Sequence, residues 1–171
     1  MKIRTDFVTN SSSSSFILAY NSQEEAIQQL TSTLSWHAEA MGIVIRDIQD
    51  TPCLTPEQLD ARLREEADSY AWWELHFGHG GWWSSDKDTF ERRWLDAHPG
   101  KSTNDMRASA EYKAEYERVA NEYIAEIREK IGNKSYVVEL EYSDNDGSIF
   151  SELEHDVMPH AGGLVKRFNH H

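Results

Sequence analysis

The last 28 residues of the sequence hold its densest group of side chains that can bind a metal ion. Four of the eight histidines lie there, together with the carboxylates of an acidic turn. Imidazole and carboxylate together form the usual ligand sets of Zn, Mn, Fe and Ni, with bonds of about 2.0–2.2 Å. The sequence therefore predicts a divalent transition metal as cofactor. The predicted ligands are His155, His160, His170, His171, Asp144 and Asp146.

A metal ion at this position would lower the pKa of its bound water and supply a nucleophile near neutral pH. We therefore expect a metal-dependent enzyme, a hydrolase of a phosphoester or a related small substrate. Glu154 and Asp156 are the candidate catalytic bases. The serine run near the N-terminus offers hydroxyl and backbone N–H groups to the anionic group of a substrate. The predicted substrate-binding residues are Ser11, Ser12, Ser13 and the nearest cation, Arg4.

Both features also have a simpler interpretation. A run of serines at the start of a strand can satisfy backbone groups without binding a substrate. The turn at 144–147 can serve only to reverse the chain, and the terminal histidines can form a surface tail. Sequence alone leaves these alternatives open.

The charge balance limits the partners of this protein. With 17 basic and 30 acidic residues among 171, the formal net charge is −13. This charge disfavours direct nucleic-acid binding and an anionic membrane surface, and it favours basic proteins or small molecules as partners. The alternative function is therefore an acidic, non-enzymatic interaction or inhibitor protein that mimics nucleic acid. Five glutamates lie along the predicted fourth helix, at 111, 115, 122, 126 and 129.

The distribution of apolar residues and cysteine predicts a cytoplasmic protein. The longest apolar runs, such as Phe16–Tyr20, are far shorter than the ~20 residues needed to cross a bilayer. Cys53 is the only cysteine, so no internal disulfide can form, which fits a reducing compartment.

Capping signals and apolar periodicity predict four helices in the middle of the chain. A first helix begins at Ser22 and is expected to end at Gly42, followed by an ambiguous segment at 43–48 that reads as a short strand or as more helix. Thr55 opens the second helix, with Tyr70 and Trp73 on its apolar stripe. Ser85 opens a third, and the fourth covers 103–131.

The two ends of the sequence read as strands. Phe16–Tyr20 is rich in β-favouring residues, and Tyr136–Tyr142 alternates apolar and polar side chains. The turn at 144–147 predicts a hairpin with a return strand at 148–153. We therefore expect a single α+β domain over 1–171. Its small antiparallel sheet combines the N-terminal strand with the C-terminal hairpin, and about four helices, over 22–132, are inserted between them.

A cluster of aromatic residues surrounds a glycine-rich turn at 72–83. Two tryptophan pairs flank His76 and His79. This composition could form a slot for a flat ligand, although such aromatics more often belong to a core.

The two ends also resemble a group of uncharacterised bacterial and phage proteins. The shared strings lie at both ends of the sequence. They are the segment from Phe7 to Phe16, with its five serines, and the segment from Tyr142 to Gly147 with Leu153–His155, Pro159–His160 and the terminal Asn169–His171. The resemblance covers about a third of the chain. It implies that both ends belong to one site, and it implies no particular activity.

Overall fold

The computed structural model describes residues 13–78, 88–143 and 147–170, with the side chains of Asn169 and His170 left out. The chain divides into two compact units. Of the described residues, the sheet unit contains those up to 54 and from 131 onward, and the helical unit contains those between 55 and 130. The single-domain expectation stays a prediction.

The sheet unit is built around three antiparallel strands in the order β2-β1-β3. They are β1 (Ser13–Tyr20), β2 (Tyr136–Ser143) and β3 (Leu164–His170). β1 lies in the centre, with Phe16 opposite both Leu140 and Arg167. The prediction that the two ends of the chain share one sheet is confirmed.

The predicted return strand at 148–153 is wrong. Ser148–Glu152 forms an α-helix, α7, which continues as a π-helix over Leu153–Val157 and a 3₁₀ turn over Met158–His160. Ile149, Leu153 and Val157 recur every four residues, a helical spacing, and all three pack in the core. The third strand is instead β3, further along the chain, which pairs with the side of β1 that faces away from β2.

Two helices stand where the sequence predicts one. Ser22 caps α1 (Gln23–Thr33) by accepting a hydrogen bond from the backbone N–H of Glu25. The first helix ends at Thr33. The His37 side chain then caps a second helix, α2 (Ala38–Asp50). Gly42 does not end the helix, because the apolar stripe of α2 continues past it to the buried Ile48. The ambiguous segment at 43–48 is therefore helical.

One face of the sheet and the helices around it enclose the core. In β1 the side chains of Phe16, Leu18 and Tyr20 share this face, as the two-residue period of a strand requires. All three are fully buried. Residues from α1, α2, β2 and the π-helix complete the cluster: Leu30, Leu34, Val44, Ile48, Val138, Leu140, Leu153 and Val157.

The helical unit contains α3 (Pro56–Phe77), α4 (Phe90–Ala97), α5 (Thr103–Ala108) and α6 (Ala110–Ile131). The predicted capping box of Thr55 with Gln58 is present. The predicted helix over 103–131 is interrupted at Ser109, because Ser109 adopts an extended conformation and accepts the Tyr112 N–H as the cap of α6. The predicted helix start at Ser85 lies outside the described residues.

The fold class is α+β, as the sequence predicts, but the number of helices differs from the prediction. The described residues contain seven α-helices instead of about four. The difference comes from short breaks between helices, at 34–37 and Ser109, and from α7. In the parts of the chain described here, no helix has both the length and the apolarity to cross a membrane.

Candidate functional site

A buried glutamate, Glu154, forms the centre of the candidate site in the sheet unit. Its side chain is inaccessible to solvent. The Ser14 hydroxyl donates to Glu154 Oε1 at 2.8 Å, and Arg167 Nη2 lies 3.3 Å from the same oxygen. Arg167 also donates to Ser14 Oγ, through Nε at 3.1 Å and Nη2 at 3.0 Å. We call Ser14, Glu154, His155 and Arg167 the Glu154 cluster.

The strand register explains how these residues come together. Ser14 lies two residues before Phe16 and therefore on the helix-covered face of β1. Arg167 is the partner of Phe16 across β3, so it lies on the same face. Its guanidinium carbon lies 5.6 Å from the centre of the Phe16 ring, an attractive cation–π arrangement. Glu154 belongs to the π-helix, which packs on this face of the sheet.

The two carboxylate oxygens of Glu154 differ in their hydrogen bonding. Oε2 is buried and has no hydrogen-bond partner within the described part of the chain. His155 lies close to this oxygen, with its Nε2 3.8 Å away and its side chain 47% exposed. An unsatisfied buried carboxylate oxygen is costly, and in native proteins such a group calls for an explanation.

The other sequence-predicted residues of this segment face solvent. Asp156 lies on the same π-helical turn as Glu154 and is exposed. His160 is exposed as well, and its ring lies 6.2 Å from that of Trp36 in an edge-on arrangement. Of the predicted ligands and bases, the structure brings Glu154 and His155 into direct proximity.

The predicted serine run leads into the cluster. Ser13 is the first residue of β1, and its backbone partners are Ser143 on one side and His170 on the other. The ends of all three strands therefore meet beside Ser14. The remaining predicted residues lie outside the described residues, as does the side chain of His170. They are Arg4, Ser11, Ser12, Asp144, Asp146 and His171.

The described residues contain a pair of candidate ligands but not a complete set. Over 13–78, 88–143 and 147–170, no group of three or more His, Cys, Asp or Glu side chains is arranged to hold a metal ion. Glu154 Oε2 and His155 Nε2 could supply two ligands. Further ligands would have to come from elsewhere in the chain.

Sequence reasoning missed Ser14 and Arg167. Ser14 belongs to the serine run, and extending the β1 alternation back from Phe16 would have placed it on the buried face. Arg167 lies in a segment, Leu164–Phe168, whose apolar residues favour a strand that was not predicted. Predicting a third strand from these apolar residues would have placed Arg167 in the sheet.

The aromatic segment of α3 divides into a buried and an exposed part. His76 is buried, its Nδ1 pairs with the Glu91 carboxylate, and its Nε2 lies 3.3 Å from the Tyr112 hydroxyl. Trp72 and Trp73 are 37% and 39% exposed. The sequence predicts Trp73 on the apolar stripe of its helix, but the structure leaves this side chain partly exposed. The rest of the segment, including His79, lies outside the described residues.

Several acidic residues of α6 form ion pairs with arginines. Arg118 bridges Glu115 and Glu122 on the helix surface. Arg64 of α3 contacts Glu117 at 2.8 Å. These pairs interrupt the acidic surface that a nucleic-acid mimic would present, and the interaction-protein alternative stays a prediction.

Comparisons of the chain with protein-family models, with curated proteins and with solved structures found no match. The resemblance of the two chain ends to bacterial and phage proteins therefore stays a prediction. Function has to be argued from the geometry of the Glu154 cluster.

Proposed function

We propose that this protein is a metal-dependent hydrolase of small phosphoesters or related substrates, with its site at the Glu154 cluster. One observation carries the proposal. Glu154 is fully buried with Oε1 held by two donors, whereas Oε2 lacks a hydrogen-bond partner among the described residues and lies near an exposed imidazole. A divalent cation is the type of partner that such an oxygen requires.

The spacing of the two free ligand atoms supports one shared ion. Two ligand atoms bound at about 2.1 Å to a tetrahedral ion lie about 3.4 Å apart. Glu154 Oε2 and His155 Nε2 are separated by 3.8 Å. A small rotation of the half-exposed imidazole would bring both atoms within bonding distance of one ion.

Ser14 and Arg167 have the role that outer partners play at metal sites. A carboxylate that binds a metal is usually held by hydrogen bonds to its other oxygen, which fix its orientation. Ser14 and Arg167 both contact Oε1 and leave Oε2 for the ion. The positive charge of Arg167 also lowers the cost of burying the carboxylate.

The proposal changes the role of Glu154 from base to ligand. The bound ion would lower the pKa of its water and so generate the nucleophile. Asp156, exposed on the same turn, remains the candidate base. The serine run, which includes Ser14, would bind the anionic group of the substrate. The terminal histidines, His170 and His171, are the candidates for completing the ligand set.

Metal binding and hydrolysis can be measured on the same variants. Untagged protein dialysed against Zn²⁺, Mn²⁺, Fe²⁺ or Ni²⁺ should retain one equivalent of one of these ions and hydrolyse p-nitrophenyl phosphate. His155→Ala should lose both properties, because it removes an exposed ligand without opening the core. Deleting His170 and His171 should do the same while the helical circular dichroism signal is kept.

Glu129→Gln is the matched control, since it neutralises an exposed carboxylate in the helical unit. It should leave metal content and hydrolysis unchanged. Wild-type protein that retains none of the four ions would overturn the proposal. Metal retention without turnover of any phosphoester would overturn the hydrolase assignment.

A further inference from the structure

A groove in the helical unit has aromatic walls and an acidic edge. It has a volume of about 360 Å³, within the ~300–1,000 Å³ typical of small-molecule sites. Residues of α3 and one residue of α6 line it: Asp68, Ser69, Trp72, Trp73 and Tyr116. The groove shares no residue with the Glu154 cluster, so its function is independent of the one proposed above.

The two tryptophan rings stand almost at right angles. Their centroids are 5.6 Å apart and their planes meet at 88°. Phe77, one turn further along α3, contacts both rings, with centroid distances of 5.5 Å to Trp72 and 4.7 Å to Trp73. The rings are therefore held in place while more than a third of each side chain stays exposed. In this edge-to-face arrangement the edge of one ring meets the face of the other, and both tryptophans line the groove.

Tyr116 adds a third aromatic side chain with a fixed orientation. Its hydroxyl donates to the backbone carbonyl oxygen of Asp68 at 2.9 Å. Because the hydroxyl is bonded to the helix backbone, the ring is anchored at the side of the groove. Burial, followed by the negative charge of Asp68, raises the pKa of Tyr116.

The charge around the groove is negative. Arg64 Nε lies 3.2 Å from Asp68 Oδ1, and Arg64 Nη2 also contacts Glu117 at 2.8 Å. One guanidinium is thus shared between two carboxylates, so the group formed by Arg64, Asp68 and Glu117 carries a formal charge of −1. A negative site with several aromatic faces attracts cations and disfavours anions.

We propose that this groove binds the quaternary ammonium group of a small organic cation. A methylated ammonium is apolar at its surface and carries a diffuse positive charge, so it loses less hydration than a primary amine on entering an aromatic site. Trp72, Trp73 and Tyr116 would contact its methyl groups, and Asp68 would supply the counter-charge. The groove is therefore a binding site of a class that the hydrolase proposal does not include.

Choline and its neutral isostere, 3,3-dimethylbutan-1-ol, are the probes that test the charge requirement. In a ¹H–¹⁵N spectrum of the full chain, the indole N–H signals report on individual tryptophans. The signals of Trp72 and Trp73 should shift on titration with choline, while that of Trp36, which is 58% exposed in the sheet unit, should not. The isostere should bind about tenfold more weakly or not at all, since it has the same shape without the charge.

Trp73→Leu and Asp68→Asn should each weaken choline binding by about three- to tenfold. Trp36→Leu is the matched control for loss of an exposed tryptophan and should change nothing. A peptide carrying trimethyllysine, titrated in parallel, distinguishes a protein source of the ammonium group from a free metabolite. Equal binding of choline and its isostere would overturn the proposal, as would unshifted Trp72 and Trp73 signals at 20 mM choline.

Discussion

One ion pair of the sheet unit and one ion-pair group of the helical unit differ sharply in their burial. In the sheet unit, Glu154 is fully buried and is contacted by Ser14 and Arg167. In the helical unit, ion pairs such as Arg118 with Glu115 and Glu122 lie on the helix surface, where 51% of the Arg118 side chain is exposed. Both units contain charge pairs, but solvent can screen only those on the surface.

This contrast separates ion pairs that can serve a function from those that keep a surface polar. An exposed pair contributes little to stability and imposes no fixed geometry. A buried carboxylate loses its hydration and persists only with well-placed partners. The cost of burying Glu154 is the reason to look for a ligand at its second oxygen.

The largest expected difference between the units comes from removing one arginine in each. Arg167→Met leaves the Glu154 carboxylate buried with its charged partner gone, and we expect the free energy of unfolding to fall by about 3–5 kcal/mol. Arg118→Met removes an exposed partner and should cost no more than about 1 kcal/mol. Urea unfolding measures both. Equal losses in the two variants would remove the distinction between the units.

Aromatic truncations in the helical unit test whether its stability lies in the interior. Tyr123 is 7% exposed and stacks on Tyr70 with centroids 4.4 Å apart, so Tyr123→Ala should cost about 3 kcal/mol. Trp73→Ala removes a larger but exposed side chain and should cost about 1 kcal/mol or less. The reverse order in a thermal melt would show that the groove residues hold this unit together.

Two glycines of the sheet unit give substitutions of opposite sign. Gly163 has a φ of +84°, and a Cβ there would lie 2.2 Å from an atom of the Tyr20 ring, so Gly163→Ala should cost about 2–3 kcal/mol. Gly42 lies inside α2, and a Cβ there meets nothing within 4 Å. Gly42→Ala should therefore stabilise by about 0.5–1 kcal/mol. Denaturant midpoints of the two variants should move in opposite directions.

At neutral pH a further modest effect is expected at Tyr142, and it grows in alkali. Burial, reinforced by Asp47, raises the pKa of Tyr142, whose hydroxyl donates to Asp47 Oδ2 at 3.0 Å. The folded protein therefore holds this proton more tightly than the unfolded chain, whose tyrosine pKa is about 10. The stability that this difference in pKa provides is fully present below about pH 10 and is lost as the pH rises further.

Tyr142→Phe should cost about 1 kcal/mol at pH 7 through the lost hydrogen bond. It should also reduce the fall in stability above pH 10 by about 1.4 kcal/mol per pH unit. Unfolding curves from pH 7 to 11 measure both effects. An unchanged slope would mean that Tyr142 titrates normally in the folded protein.

Local patterns predicted the elements that local physics determines. The caps at Ser22 and Thr55 and the alternation in β2 involve neighbours within a few residues, and all three are present. The segment 148–153 failed because its apolar residues suit a strand or a helix equally well. Its burial in a core shared with β1 and α2, which lie far away in sequence, decides between them.

The candidate site shows the same limit. The density of ligand types identified Glu154 and His155, because adjacent residues stay adjacent in any fold. Ser14 and Arg167 were not identified, since Ser14 is separated from Glu154 by 140 residues and from Arg167 by 153. Only the register of β1 against β3 brings them together, and no local pattern specifies that register.

A calorimetric titration with the ion that the protein retains tests the central claim most directly, on wild-type protein and on the double variant Glu154→Leu with Arg167→Met. Replacing a buried ion pair by apolar residues of similar size is often neutral or stabilising, so the double variant should keep its melting temperature. The account predicts one equivalent bound by the wild type and none by the folded double variant. Equal binding by both proteins, or no binding by the wild type, would show that the Glu154 cluster is a structural ion pair and not a metal site.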